Sequence, residues 1–448
     1  MNDIKIILSN THSFIQCPNF EIRKKISDLL SYEAPGGYFA RRHIPYWDGR
    51  IRLLSKDDHF PTGLYSRVKA FLAKKGIPYH EKDTRTPPRA SLTLKMAIPF
   101  APRDYQLEAA KISETEPRGV FLMAVGSGKT CTAAMVIEKK KVPTLFVVPD
   151  TGLREQATEC FSEWFGENNV TNNLLSKKLI VVSNIQKIMH TDRKVFEKFK
   201  MLICDEFHHA AAKSYIKLNQ WCKEAYYRYG FTGTFLRADG SDMAMHGVLS
   251  NVIYTKTASD LIEAGYLVRP HIHIIKYDTP RRNCDYKTAY NLIVQDYALN
   301  KIIADIAIDE IKREKQTLIL VRRKQHGEVL AELIPKATYL NGDDSLELRE
   351  KVKKKFIEKK IPCLIATAIF GEGIDIPSIN TLINARFQKT EIQTTQGIGR
   401  ALRKFPGKEK ADVYDFLLTG QKHLQSHSVE RIMTYRREKS FKISLKNP

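Results

Sequence analysis

A chain of 448 residues, 43% hydrophobic and 27% charged, is too long for one ordinary core and too apolar for a disordered segment; length alone suggests about three domains. Its 72 Lys and Arg against 50 Asp and Glu leave a formal net charge of +22, an excess suited to a polyanionic partner, nucleic acid above all. Seven cysteines without a C-x-x-C pair argue against a zinc module or a disulfide framework, and for a reducing compartment. With no signal-peptide pattern and no apolar run near the ~18 residues of a membrane span, the expectation is a soluble cytoplasmic protein without a membrane partner.

Residues 1–95 read as a small α/β unit. Ile4 to Leu8 is a strand candidate, and Ile22, Ile26, Leu29 and Leu30 have the spacing of a helix with one buried face. Leu64, Val68, Phe71 and Leu72 repeat that spacing. Between them, turn signals at Gly36-Gly37 and Asp48-Gly49 predict two strands joined at the second turn, with Arg41, Arg42, Arg50 and Arg52 near Tyr46 and Trp47. Basic residues interleaved with aromatics suit nucleic-acid contact through phosphate pairing and stacking. The plainer alternative is a small core around Trp47 with solvated arginines. The unit carries 17 Lys and Arg against 9 Asp and Glu, and Pro87-Pro88 marks a linker after it.

Residues 96–268 read as an ATP-binding domain. Val120 to Met123 is an apolar strand, followed by a Gly-rich turn and a helix opening at Lys129. That is the layout of a phosphate-binding loop. Gly126, Ser127 and Gly128 let backbone N–H groups close on phosphate at a helix N-terminus. Lys129 reaches the β and γ phosphates, and the Thr130 hydroxyl is placed to ligate Mg²⁺. Met123 stands where the consensus has its first Gly. Strand candidates follow at Thr144 to Val148, Leu179 to Val182, Met201 to Cys204 and Tyr229 to Phe231, alternating with helical patterns, which predicts a parallel sheet. The third of these strands runs into Asp205-Glu206. That pair suits a nucleotide hydrolase, with Asp205 holding Mg²⁺ through water and Glu206 activating the attacking water. Acid pairs after strands also serve as helix N-caps.

Residues 269–448 repeat the alternation without a phosphate loop. Strands are expected at Ile272 to Ile275, Thr317 to Val321, Cys363 to Ala366, Leu382 to Asn384 and Val413 to Phe416. Helices are expected at Leu299 to Arg313 and Leu346 to Lys359, then a terminal helix and a basic tail over 430–448. Gln396 to Arg403 reads as a helix with Arg400 and Arg403 on one face, able to stabilise charge on a γ-phosphate. A basic surface helix is the alternative, on which Gln396 and Gly397 would have no purpose.

In this order the segments resemble the motifs of superfamily 2 DExH helicases over residues 100–420. Arg103-Asp-Tyr-Gln106 matches the upstream motif in which Gln recognises adenine, and Val125 to Thr130 matches motif I, which in that superfamily does not require the first Gly. Val148 to Gln156 and Val182 to Gln186 look like the strand-tracking motifs Ia and Ib, Asp205 to His208 is the DExH form of motif II, and Phe231 to Arg237 resembles motif III. Ala366-Thr367 through Gly371 to Pro377 is similar to motif V, which brings Gly373 and Asp375 to the nucleotide and Thr367 to the strand; Gln396 to Arg403 matches motif VI. The N-terminal unit resembles that of the phage UvsW-type recombination helicases. The resemblance implies two tandem RecA-like domains behind a DNA-binding domain, with ATP and Mg²⁺ as cofactors. It also implies an ATP-driven motor on branched DNA (Holliday junctions, forks and R-loops), monomeric or weakly associating. Alternatives are an RNA helicase, a nucleic-acid binder with a vestigial ATPase, and the motor subunit of a restriction or repair complex.

Overall fold

The computed structural model describes residues 3–34, 46–90, 94–207, 212–233, 243–280, 284–367, 376–389, 397–399 and 401–447. Contacts divide the chain into two units, Met1–Met123 with Gly128–Thr255, and Ala124–Ser127 with Lys256–Pro448.

The first unit opens with a four-stranded sheet in the spatial order His59–Pro61, His12–Gln16, Ile4–Leu8, Tyr79–Asp83. Helices Phe20–Leu29 and Tyr65–Lys74 supply its apolar face. Ile26, Leu30, Leu64, Val68 and Leu72 are fully buried, as the helical spacing predicts. The core also takes in Met243, far along the chain. The Asp48-Gly49 turn lies in the segment between two strands that pair, with the Ala34 N–H donating to the Gly49 carbonyl at 2.9 Å and residues 35–45 outside the described ones. Strand Arg50–Arg52, which follows it, pairs antiparallel with Ser31–Glu33.

The same unit carries a seven-stranded sheet in the order Val252–Lys256, Arg118–Met123, Tyr227–Thr232, Met201–Asp205, Thr144–Val148, Ile180–Asn184, Val170–Thr171. The registers from Arg118–Met123 to Val170–Thr171 are all parallel. Strands Arg118–Met123 and Thr144–Val148 are buried at every position, the unbroken apolar run expected of a sheet covered on both faces.

The second unit has a second seven-stranded sheet, ordered Ala337–Leu340, Cys363–Ala366, Thr317–Leu320, Thr381–Asn384, Lys410–Thr419, Arg269–Asp278, Lys442–Lys446, again parallel throughout. Two expectations change here. The basic end of the chain is a helix, Lys422–Arg436, and then an edge strand, not a tail: Lys442–Lys446 pairs with Arg269–Asp278. The helix of motif VI also ends before Arg403, sooner than expected. Residues 397–399 and 401 are helical, and Arg403 lies past them in an antiparallel bridge to Leu267.

Candidate active site

The buried strand Arg118–Met123 delivers the chain into a turn that only glycine makes cheaply. Gly126 has φ +85° and Gly128 has φ +77°, both in the left-handed region. Gly128 then caps helix Lys129–Lys140, whose first N–H groups point back into the turn. A Cβ at Gly128 would lie 2.4 Å from Gln106 Nε2, so Gln106 packs directly on the loop. Gln106 is itself fixed: its Oε1 accepts from the Arg103 N–H at 2.9 Å, and Arg103 Nη1 donates to the Tyr105 hydroxyl at 2.7 Å. Met123 ends the strand and is fully buried, so the consensus Gly position here belongs to the core. Ser127 is buried as well, and Thr130 is half-buried in the first turn of the helix.

Strand Met201–Asp205 lies two places along the sheet. At its end Glu206 takes φ +43°, a strained value for a non-glycine residue. The Glu206 N–H is shared between the Phe231 carbonyl at 2.9 Å and Asp205 Oδ1 at 3.0 Å. This bend brings Glu206 Oε1 to 2.9 Å from Lys129 Nζ, with only 13% and 11% of the two side chains exposed. Burial raises the pKa of Asp205, the Glu206 carboxylate raises it further, and the Lys129 ammonium opposes both. Two acids, one lysine and a helix N-terminus therefore converge on a glycine turn. Two crowded carboxylates, one already pushed towards its neutral form, have the charge that a divalent cation would balance, and Asp205 with Thr130 is a donor set of the kind Mg²⁺ takes. No group of three or more His, Cys, Asp or Glu among the described residues could hold a metal by itself.

The other expected motifs of the first unit sit at the same edge of the sheet, because parallel strands end together. Asp150 caps helix Thr151–Phe165 by accepting from the Leu153 N–H. On the neighbouring strand Asn184 caps Ile185–Met189 and donates to Thr151 Oγ1 at 2.9 Å, which ties motifs Ia and Ib together. Thr232 ends its strand fully buried. In the second unit Thr367 follows strand Cys363–Ala366, is 7% exposed and donates its N–H to the Leu340 carbonyl. Arg400, Gly373, Asp375, Arg41 and Arg42 lie outside the described residues.

The N-terminal arginines are more occupied than sequence suggests. Arg50 donates through Nε to Ser31 Oγ and through Nη2 to the Ser31 carbonyl, both at 2.9 Å. Arg52 pairs with Asp48 at 2.6 Å and with Asp28 at 3.2 Å, and holds the Asp48 carboxyl below its usual range. Trp47 donates Nε1–H to the Arg50 carbonyl at 3.1 Å, so its ring supports the turn. Sequence reasoning missed a buried pair, Arg118 and Arg228, on adjacent strands in register. Both donate to the Asn10 carbonyl, at 2.8 and 3.0 Å. Their one available signal was position: Arg118 is the first residue and Arg228 the second of an otherwise apolar sheet strand.

Comparison with known proteins agrees with this geometry. Residues 3–79 match the family described as DNA helicase UvsW, N-terminal; 99–237 match Type III restriction enzyme, res subunit; and 298–405 match Helicase conserved C-terminal domain. The chain is 24% identical to the ATP-dependent DNA helicase uvsW of Enterobacteria phage T4, across 98% of both. It is 26% identical to the DNA 3'-5' translocase XPB2 of Sulfurisphaera tokodaii, over 76% of this chain and 86% of that one. An HsdR fragment of a type I restriction enzyme from Vibrio vulnificus shares the fold with a TM-score of 0.62 at 17% identity, over 89% of this chain and 78% of that one. With three matching segments in the expected order on two RecA-like sheets, the chain is similar to superfamily 2 helicases of the UvsW type.

Proposed function

We propose that this protein is an ATP-dependent DNA helicase or translocase that works on branched DNA. The observation that carries the reading is the meeting of Lys129 with Glu206 at the glycine turn, beside an Asp205 already pushed towards its neutral form. Such an arrangement separates phosphate binding from water activation.

Gln106 selects adenine from its place against Gly128. The loop N–H groups and Lys129 hold the phosphates, and Thr130 and Asp205 would hold Mg²⁺. Bound Mg²⁺ neutralises phosphate charge and orients the γ-phosphate. Glu206 orients and deprotonates the attacking water. Arg400 and Arg403 of the second unit stabilise the charge that develops as the bond breaks. Gly373 and Asp375 contribute to the nucleotide site, while Thr367 and the loops at Asp150 and Asn184 grip the strand backbone, a contact that is indifferent to sequence.

The N-terminal unit selects the substrate. Its basic excess and its likeness to the UvsW N-terminal family support contact with duplex arms beside a junction, through Arg41, Arg42 and Arg52. Arg50 and Trp47 hold the turn from which those contacts are made. No helix among the described residues is long and apolar enough to cross a membrane. The test is ATP turnover with single-stranded, duplex, forked and four-way DNA, and with RNA of the same sequence. Greatest stimulation by forked or four-way DNA supports the reading, and equal or greater stimulation by RNA contradicts it.

A further inference from the structure

We propose that Arg386 is a positioning residue for the motif VI helix, anchored by a buried polar chain that runs through Asn384 and Asp415 to Arg431. This rests on the reading of Arg400 and Arg403 as groups that act on ATP.

The chain begins on the C-terminal helix Lys422–Arg436. Arg431 is 1% exposed and donates to Asp415 through Nε at 3.0 Å and Nη2 at 2.8 Å. Its remaining donors reach the Gln388 and Phe416 carbonyls, each at 3.0 Å. A guanidinium held by a bidentate carboxylate and two carbonyls has no rotational freedom left. Asp415 also accepts from the Tyr435 hydroxyl and, through Oδ2, from Asn384 Nδ2 at 3.0 Å. That fixes the amide of Asn384 so that its Oδ1 faces Arg386, whose Nε donates to it at 3.2 Å. Asn384, Asp415 and Arg386 are all at most 5% exposed. Every link is buried, so each orientation depends on the one before it.

The far end meets the motif VI segment. A Cβ at Gly397 would come within 2.9 Å of Arg386 Nη2 and 3.2 Å of Leu320 Cδ1. The guanidinium occupies the place of a side chain at position 397, which is why that residue is glycine. A flexible arginine could swing aside for a methyl group, but this one is tied at Nε and enclosed. The plainer reading is that Arg431 and Asp415 only stabilise the second unit. That reading leaves Gly397 without a reason and predicts changes in stability alone.

The test uses the full chain with saturating forked DNA. Arg386→Gln and Gly397→Ala should each lower kcat for ATP roughly tenfold or more, with the KM for ATP held within about twofold, because a misplaced catalytic group costs rate before ground-state binding. Asp415→Asn, which keeps the side-chain shape, should give the same kcat loss. Because both changes act on one contact, the Gly397→Ala, Arg386→Gln double variant should be no slower than the worse single one. If either single variant fails to fold, the other with Asp415→Asn decides. Wild-type kcat in the folded variants, alongside an Arg403→Ala that is slow, overturns the positioning role and leaves motif VI standing. A silent Arg403→Ala overturns the motif VI reading itself.

Discussion

Lys129 Nζ and Glu206 Oε1 form an ion pair of 2.9 Å inside the first unit, with both side chains largely covered. The residue proposed to bind phosphate and the residue proposed to activate water therefore hold each other in place. On the proposed mechanism, an incoming γ-phosphate would compete with the Glu206 carboxylate for the same ammonium and so free the carboxylate for water.

Separate substitution distinguishes the two roles. Lys129→Ala should weaken ATP binding at least about tenfold, since it removes a charge-assisted contact. Glu206→Gln should leave binding intact or tighter and lower kcat by roughly 10²-fold or more. Fluorescent-nucleotide binding and steady-state turnover measure both; a Glu206→Gln enzyme at wild-type rate contradicts the assignment.

Gly128→Ala should damage the same site by another route. It forces an L residue to φ +77°, a cost of about 1–2 kcal/mol, and drives a methyl group into Gln106 Nε2. The expected outcome is weaker ATP binding and loss of preference for ATP over GTP, because the amide proposed to read adenine must move. Competition binding with the two nucleotides checks it.

The N-terminal unit cannot be tested by truncation. Without residues 1–95, Arg118 and Arg228 lose the Asn10 carbonyl, and a buried donor left without a partner costs about 1–3 kcal/mol. A side chain at Gly63 would also strike the His246 carbonyl at 2.1 Å, which marks how closely that unit packs on the helix Met243–Leu249. We expect the truncated protein to unfold at lower temperature and lose ATPase activity. Charge removal is the better probe: Arg52→Ala, which breaks only exposed pairs of small worth, should reduce the salt slope of junction binding by about 1. An unchanged slope removes Arg52 from the DNA surface.

Lys408 gives a pH signature. It is 7% exposed and donates to the Pro377 carbonyl at 3.0 Å, and burial pushes its pKa down from 10.5 to about 7. Between those values the unfolded chain binds the proton more readily than the folded one, so stability rises with pH through that window; below about 7 the cost of the buried charge is fully present. Lys408→Met should flatten this rise, gaining stability near pH 7 and little near pH 10. Denaturation midpoints at the two pH values check it.

Apolar runs made most strands of both large sheets legible, and Cys363–Ala366 and Thr144–Val148 fall where the sequence places them. What sequence missed has physical reasons. Lys442–Lys446 reads as solvated because an edge strand keeps its lysines in water. Val252–Lys256 has mixed burial and no long apolar run. Arg118 and Arg228 look like surface charge until the fold closes over them. Glu206 was readable as an acid after a strand, but its strained φ was not, since that comes from the bend that reaches Lys129.

The central claim is that DNA drives ATP turnover through the Lys129–Glu206 site. The most direct measurement is ATP hydrolysis with and without forked DNA, for the wild-type protein and for Glu206→Gln, with ATP and DNA binding followed in parallel. The account predicts strong stimulation in the wild type, and in Glu206→Gln binding of both ligands with almost no turnover. Wild-type hydrolysis that ignores DNA, or Glu206→Gln hydrolysis at the wild-type rate, would contradict it.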